Sequence, residues 1–388
     1  MFNKLLLGDI ITICYGKNQK EVEKPRGLYN IYGTGGKIGE TNDYLYDKPS
    51  VLIGRKGTIN KPMYVDKPFW TVDTLFYSKI KSNFDPLWLY YYIDSIDLNK
   101  YNEATGVPSL SISNLYRIEI LTPSLEEQKK IAKILSTVDG HIDEVDGMID
   151  TLKELKKGLM QKLLTQGVGH TEFKDSEVGR IPVEWEVKQI DDVISFMKSG
   201  LSRKLSDHDI GIPCIRSSNI DDGKISSKDL KYWYLLDDKG ADINNYKLED
   251  GDVLVNFINS LAQIGKTCIY KDIGRDVIYT TNLFRLKIDH EIMNVHYFHF
   301  ITQTEYYRNE VALITKPAVN QASFTSGDFK KIEIAVPPLE EQRKIADKLC
   351  AIDDRIELYK DEYSSLQILK KGLMQQLLTG KTRVKIDN

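Results

Sequence analysis

The feature that most constrains this chain is a passage it contains twice. Residues 117–128 read RIEILTPSLEEQ, and residues 331–342 read KIEIAVPPLEEQ. Further on, LKKGLMQKLLT (155–165) is matched by LKKGLMQQLLT (369–379). The copies align without a gap at an offset of 214 residues (Leu125 to Leu339), and about half the positions from Leu125 to Thr165 are identical. So long a period is not that of a solenoid, whose repeats run to a few tens of residues. It marks a duplicated unit.

Each copy reads as one long helix. Ser124 with Glu127 three residues on forms a capping-box pattern after Pro123, while Pro338 takes the cap position in the second copy. Apolar residues then recur at four- and three-residue steps. The first seam is Ile131, Leu135, Val138, Ile142, Val145, Ile149 and Leu152, continuing to Leu159 and Leu163. The second is Ile345, Leu349, Ile352, Ile356, Tyr359, Tyr363 and Leu366, continuing to Leu373 and Leu377. This is a coiled-coil pattern held for about six heptads. Lys156 and Lys370 interrupt it at the same place. A polar seam residue can fix register at a cost in stability, or it can snorkel out to water. Some forty residues at 1.5 Å each span roughly 60 Å, and such a helix cannot bury its stripe alone. The simplest arrangement is an antiparallel pair formed by the two copies, with an approximate two-fold axis. Packing against other subunits is the alternative.

The sequence divides at 1–121, 122–167 (first helix), 168–183 (linker), 184–336, 337–381 (second helix) and 382–388. The two non-helical segments open alike, FNKLLLGDIITI against WEVKQIDDVISF, with Asp9 and Asp192 in corresponding places. Their middles differ. Both are expected to be β-rich, with short alternating runs at Ser50–Ile53 and Asp252–Val255 between glycine turns. Each then carries a short helix, in FDPLWLYYYIDSI and in IMNVHYFHFITQTEYYRNEV. The linker QGVGHTEFKDSEVGRIPVEW reads as an ordered loop. The fold class is therefore α+β: two β-rich domains separated by two long helices.

Catalytic motifs are not found. GTGGKIG has Ile38 where a dinucleotide loop needs glycine and does not match the GxxxxGK[ST] of a P-loop, so it reads as a turn between strands. FDPLW glances at a methyltransferase (D/N)PP(Y/F) motif but lacks the second proline. Asp85 with Pro86 reads better as a helix N-cap. Glu186–Lys188 has no nuclease partner carboxylate at a suitable distance. His296 and His299 sit in an aromatic helix and are expected to be packed, with no metal bound. The four cysteines are scattered without a CxxC pair, which fits a reduced, cytoplasmic protein. No run is long and apolar enough for a membrane span. A net charge of −3 neither demands nor excludes nucleic acid, so a DNA-binding chain would have to concentrate its basic residues on one face.

Two variable β-rich segments alternating with two near-identical helices, which begin PSLEEQKKIA and PPLEEQRKIA, end LKKGLMQKLLT and LKKGLMQQLLTGKTRV, and are linked through GRIPVEW, resemble the specificity (S) subunit of type I restriction–modification systems. The resemblance covers essentially the whole chain. It implies a non-catalytic subunit whose two target recognition domains each read half of a split, asymmetric DNA site. The paired helices would set the gap between the halves. The partners implied are double-stranded DNA, two methyltransferase subunits and, where present, restriction subunits. Cofactors would lie in those partners: S-adenosylmethionine for adenine methylation, ATP and Mg for restriction. The neighbouring readings are a specificity subunit of a methylation-based defence system without restriction, and a coiled-coil scaffold that does not bind DNA.

Lys and Arg position a protein on phosphates, while Arg, Asn and Gln read base edges. The expected DNA-facing residues of the first domain are Lys37, Arg55 and Lys56, with Thr105 and Ser109. Those of the second are Arg203, Lys204, Arg216, Ser218 and Asn219, with Lys266, Asn320 and Gln321.

Overall fold

The computed structural model describes residues 2–221, 223–317 and 321–385. It forms two compact units, Met1–Met148 with Tyr359–Asn388, and Ile149–Leu358. Each unit holds one β-rich domain, one segment of the first long helix (Leu125–Gln166) and one segment of the second (Leu339–Leu377).

In the first unit the domain's entry strand, Asn3–Leu6, pairs antiparallel with its exit strand, Glu119–Thr122, which leads into the long helix. Asp9 fixes the entry turn, its Oδ2 accepting the Leu6 N–H at 3.0 Å. The main antiparallel sheet runs Ile11–Tyr15, Leu75–Ile80, Ser50–Gly54, Met63–Val65. A second sheet holds the hairpin Tyr29–Gly33/Gly36–Thr41, so GTGGKIG is the expected turn, closed by Gly36 at a φ of +121°. The strand Ser50–Gly54 differs from expectation: all five residues are buried, not alternate ones. It is a central strand covered on both faces, which needs no polar face. Asp85 caps the helix Pro86–Asp94 as its sequence predicts, accepting the Trp88 N–H at 2.8 Å. Trp88, Leu89 and Tyr91 from that helix pack with Ile131 and Leu135 of the first long helix and Leu377 of the second.

The second unit repeats this frame. Glu186–Gln189 pairs with Glu333–Val336, and the Asp192 Oδ2 accepts the Gln189 N–H at 2.9 Å. The main sheet runs Ile194–Ser199, Leu283–Ile288, Val253–Asn256, Thr267–Ile269, the same order by position in the domain. An added three-stranded sheet (Lys231–Trp233, Ile212–Ile215, Ile278–Tyr279) carries its own small core around Cys214 and Trp233. The linker is more than a loop: Phe173–Ser176 and Gly179–Pro182 form a hairpin.

The repeated LEEQ is explained by what its side chains hold. Gln128 is buried; its Oε1 accepts the Asp85 N–H at 2.8 Å and its Nε2 donates to the Pro123 carbonyl at 3.0 Å. Gln342 does the same for the other domain. It accepts from the Asn294 N–H at 2.8 Å and donates to the carbonyls of Ile292 (2.9 Å) and Pro337 (2.8 Å). Asp85 and Asn294 are the N-caps of corresponding helices, so each glutamine ties a long helix to its domain's helix.

The second glutamate departs from the capping-box expectation. Ser124 Oγ accepts the Glu127 N–H at 3.3 Å, but the Glu127 carboxylate takes both Nε and Nη2 of Arg383 at 2.7 Å. In the other unit Glu341 accepts the Val168 N–H (2.8 Å) and the Trp185 indole N–H (3.0 Å), and lies 2.9 Å from His170 Nε2. In both units the carboxylate gathers the segment that follows the opposite long helix. Gly167 and Gly380 make that segment's turn, with φ of +66° and +72°. A Cβ on Gly167 would collide with Glu341 and Trp185, and one on Gly380 with Phe2.

Seam residues Ile131, Leu135, Ile142, Val145, Ile149, Ile345, Leu349 and Ile356 are buried, and Val138, Leu152, Ile352, Tyr359, Tyr363 and Leu366 are half-buried. The seam lysines pair across the helices: Lys370 lies 2.7 Å from Asp139, and Lys156 lies 2.7 Å from Asp353. Asp139 and Asp353 are themselves 214 positions apart, as are the lysines. Each ammonium also sits over an aromatic ring, Tyr91 at 5.5 Å and Phe300 at 5.3 Å. Both lysine side chains are under one-fifth exposed, so they do not snorkel. The pairs fix an antiparallel register inside each unit, because a shift of one turn would bury each lysine without its carboxylate.

Candidate DNA interface

Three loops of the first domain converge. Lys56 bridges Ser109 in antiparallel pairing, the Gly57 N–H donates to the Pro108 carbonyl at 2.9 Å, and the Leu110 N–H donates to the Arg55 carbonyl at 2.9 Å. A Cβ on Gly57 would lie 3.8 Å from Thr34 Oγ1, at the tip of the GTGGKIG hairpin. Arg55, Lys56, Ser109 and the hairpin tip are thus brought together, with Thr105 exposed on the adjoining loop. Lys56 is exposed, whereas Lys37 is 2.5 Å from Glu40 and holds that carboxyl below the usual carboxylate range. Arg55 Nη1 donates to the Asp73 carbonyl at 3.1 Å, and its guanidinium lies 5.2 Å over the Tyr15 ring.

The second domain uses the same junction. Ile258–Asn259 pairs with Ala322–Ser323, and the Phe324 N–H donates to the Phe257 carbonyl at 3.3 Å. Gln321 is exposed beside this pairing; Asn320 lies outside the described residues. Lys266 lines a cavity of about 760 Å³ with Thr267, Gln303 and Arg308. Lys204 and Ser218 are exposed.

Three other expected contacts are differently employed. Arg203 gives Nε and Nη2 to the two oxygens of Asp237, each at 2.7 Å, and this pair depresses the Asp237 carboxyl to about 2. Asn219 is 1% exposed. Its Oδ1 accepts the Arg216 N–H at 3.1 Å, and its Nδ2 donates to the carbonyls of Ser226 and Lys228. Its amide holds the loop closed and offers no edge to a base. Arg216 Nη2 donates to the Asp229 carbonyl at 2.6 Å. The acceptors lie 7 to 34 residues away in sequence, so no local pattern announces them.

Behind the cavity runs a polar chain that the sequence did not disclose. Lys156 Nζ is 3.4 Å from Gln303 Oε1, and Gln303 Nε2 is 2.8 Å from His299 Nε2. His299 Nδ1 is 2.9 Å from Thr267 Oγ1, which is 2.6 Å from Thr302 Oγ1. Thr302 donates to the His299 carbonyl, so the chain closes with a neutral imidazole accepting at Nε2 and donating at Nδ1. His299 is packed as expected; His296 is exposed, contrary to expectation. Burial, with the charges of Lys156 and His296, pushes the His299 pKa from 6.5 down to about 4. A depressed imidazole pKa contributes stability that is complete above 6.5 and lost as pH falls through 4. Acidification across this window should cost about 3 kcal/mol at ~1.4 kcal/mol per pKa unit. Urea unfolding between pH 7 and 4 should show this, with a flatter slope for His299→Gln; equal slopes would contradict it.

The chain matches the family model described as the type I restriction modification DNA specificity domain, over residues 2–154 and again over 182–367. It belongs to that family, the specificity subunits of type I restriction–modification systems, which are non-catalytic recognition subunits. It is 32% identical over 349 residues to the MjaVIII type I restriction enzyme specificity subunit of Methanocaldococcus jannaschii, covering 86% of this chain and 76% of that one. It is 22% identical over 275 residues to the EcoKI specificity subunit of Escherichia coli K12, covering 67% of this chain and 56% of that one. The fold is similar to the crystal structure of a type I restriction–modification S subunit from M. genitalium, with a TM-score of 0.66 at 16% identity, covering 100% of this chain and 97% of that one. No helix among the described residues is long and apolar enough to cross a membrane.

Proposed function

We propose that each domain reads one half of a bipartite, asymmetric DNA site, and that the long helices set the spacer between the halves. The observation that carries this is the shared junction after the central strand. Arg55-Lys56-Gly57 and Phe257-Ile258-Asn259 occupy the same place in one sheet order, and each pairs with the segment before the last short helix. One frame with two different loop sets suits two different half-sites. Base edges supply the specificity, and Lys and Arg on phosphates supply register. Helix lengths of 42 and 39 residues suit a spacer of fixed size. On this reading the chain docks two methyltransferase subunits that carry S-adenosylmethionine and methylate adenine, and, where present, restriction subunits that use ATP and Mg.

Exchange of residues 11–118 for the corresponding segment of a relative tests the reading. Mapping of methylated adenines in cells that express the chimera with its methyltransferase should show one half-site replaced, the other half and the spacer unchanged. A motif altered in both halves would contradict modular reading.

A further inference from the structure

We propose that Arg55 is the specificity-determining residue of the first domain and reads a guanine in its half-site; this rests on the DNA-reading function above. Direct readout of guanine needs a planar fork of two N–H donors aimed at O6 and N7 in the major groove, held so that little freedom is lost on binding. The basic residues at the three converging loops differ in this respect. Lys37 is committed to Glu40. Lys56 is exposed and carries a compact ammonium on a flexible stem, which suits a phosphate but no particular base. Arg55 has both a fork and a mount.

The mount has three parts. Backbone pairing clamps the residue on both sides: its N–H donates to the Thr74 carbonyl at 2.8 Å and its carbonyl accepts from Leu110 at 2.9 Å. Nη1 is anchored on the Asp73 carbonyl at 3.1 Å. The guanidinium lies 5.2 Å over the Tyr15 ring, itself packed edge-on against Phe76 at 5.2 Å. Nε and Nη2 have no partner among the described residues, so an edge of the fork remains for a ligand. The stacked, anchored geometry limits the rotamers that binding would otherwise have to freeze.

The second domain supplies the contrast. There the same junction position is Phe257, half-buried, stacked on Phe284 at 3.6 Å between centroids and packed against the core. An identical frame therefore offers a donor fork in one domain and an inward aromatic in the other. The difference is one of ligand chemistry, because the backbone partners Leu110 and Phe324 are equivalent.

The test uses the full chain with its methyltransferase. Methylated-adenine mapping first gives the motif. Competition binding then measures each duplex carrying one base-pair change in the first half-site. The wild type should prefer one G·C pair by roughly ten- to hundredfold over the alternatives, in line with a bidentate arginine contact. Arg55→Ala should bring that preference within about threefold and leave the other positions unchanged. Arg55→Lys keeps the charge but lacks the fork, and should do the same. It also serves if the alanine variant fails to fold, which thermal unfolding of each complex would reveal. Replacing the guanine by 7-deazaguanine should weaken the wild type and leave both variants unaffected. Unchanged discrimination at every position in a folded variant, or equal weakening at all positions as for a phosphate contact, would overturn the assignment. A wild-type complex with no two-part motif would overturn the DNA-reading function, and the role of Arg55 with it.

Discussion

Gln342→Leu is expected to destabilise the unit that contains it by about 3–5 kcal/mol, because one fully buried side chain satisfies three backbone groups, one buried and two half-buried. Its carbonyl takes the Asn294 N–H, and its amide serves the carbonyls of Ile292 and Pro337, all within 2.9 Å. Leucine fills a similar volume, so packing is nearly retained and the loss is polar. Each orphaned group costs about 1–3 kcal/mol when water cannot reach it. Gln342 is fully buried, so water does not replace it. Gln128→Leu should cost less, about 2–3 kcal/mol, because two backbone groups depend on it. Urea unfolding of the two variants would measure this. Equal small losses would mean that the glutamines are incidental to the helix starts. The expected phenotype of each variant is also local. Gln342 anchors the long helix to the second domain, so on the proposed DNA-reading function weakened binding should fall on that domain's half-site first.

The duplication was legible because it is contiguous and periodic. A heptad seam repeated at a fixed offset needs no tertiary information, and the seam residues are buried or half-buried as the period requires. The helix N-cap at Asp85 was legible for the same local reason. What failed to show was anything whose partner lies far along the chain. Lys156 and Lys370 stood out as breaks in the pattern, yet nothing near them in sequence names Asp353 or Asp139. Glu127 looked like half of a capping box until Arg383, 256 residues on, claimed it. Arg203 and Asn219 read as exposed polar loop residues, and each is held by acceptors or donors from a neighbouring loop. The strands at Ser50 and Val253 read as alternating because a four- or five-residue run cannot distinguish a half-buried strand from a central one. The frame of the protein is thus encoded locally, and twice. The surface that differs between its domains is encoded in long-range partnerships that a single sequence does not expose.

Arg285→Leu is expected to cost the second unit about 3–4 kcal/mol at neutral pH, more than Arg285's own bonds are worth, because it strands a buried carboxylate. Arg285 sits in the strand Leu283–Ile288 and is 4% exposed. Its Nε lies 2.6 Å from Asp252 Oδ2 without pointing straight at it, Nη1 donates to the Lys247 carbonyl, and Nη2 reaches Glu249 at 3.1 Å. Asp252, 3% exposed, also accepts the Glu249 N–H at 2.6 Å. Burial raises the Asp252 pKa above the ordinary 3.8, and the Glu249 N–H and Arg285 pull it back in part. Removing Arg285 deletes one of those two restraining influences, so the pKa rises further. A carboxyl whose folded pKa lies above its unfolded value contributes stability at low pH and loses it as pH rises through the folded pKa. The deficit of Arg285→Leu should therefore be largest at neutral pH and shrink as pH falls toward 4. Adding Asp252→Asn removes the stranded charge while keeping an acceptor for the Glu249 N–H, and should recover a large part of the loss at pH 7. Unfolding of wild type, Arg285→Leu and the double variant from pH 4 to 8 measures all three effects. A deficit that stays constant with pH and is not relieved by Asp252→Asn would mean that lost packing against Phe196, whose ring lies 5.4 Å from the guanidinium, outweighs the electrostatics.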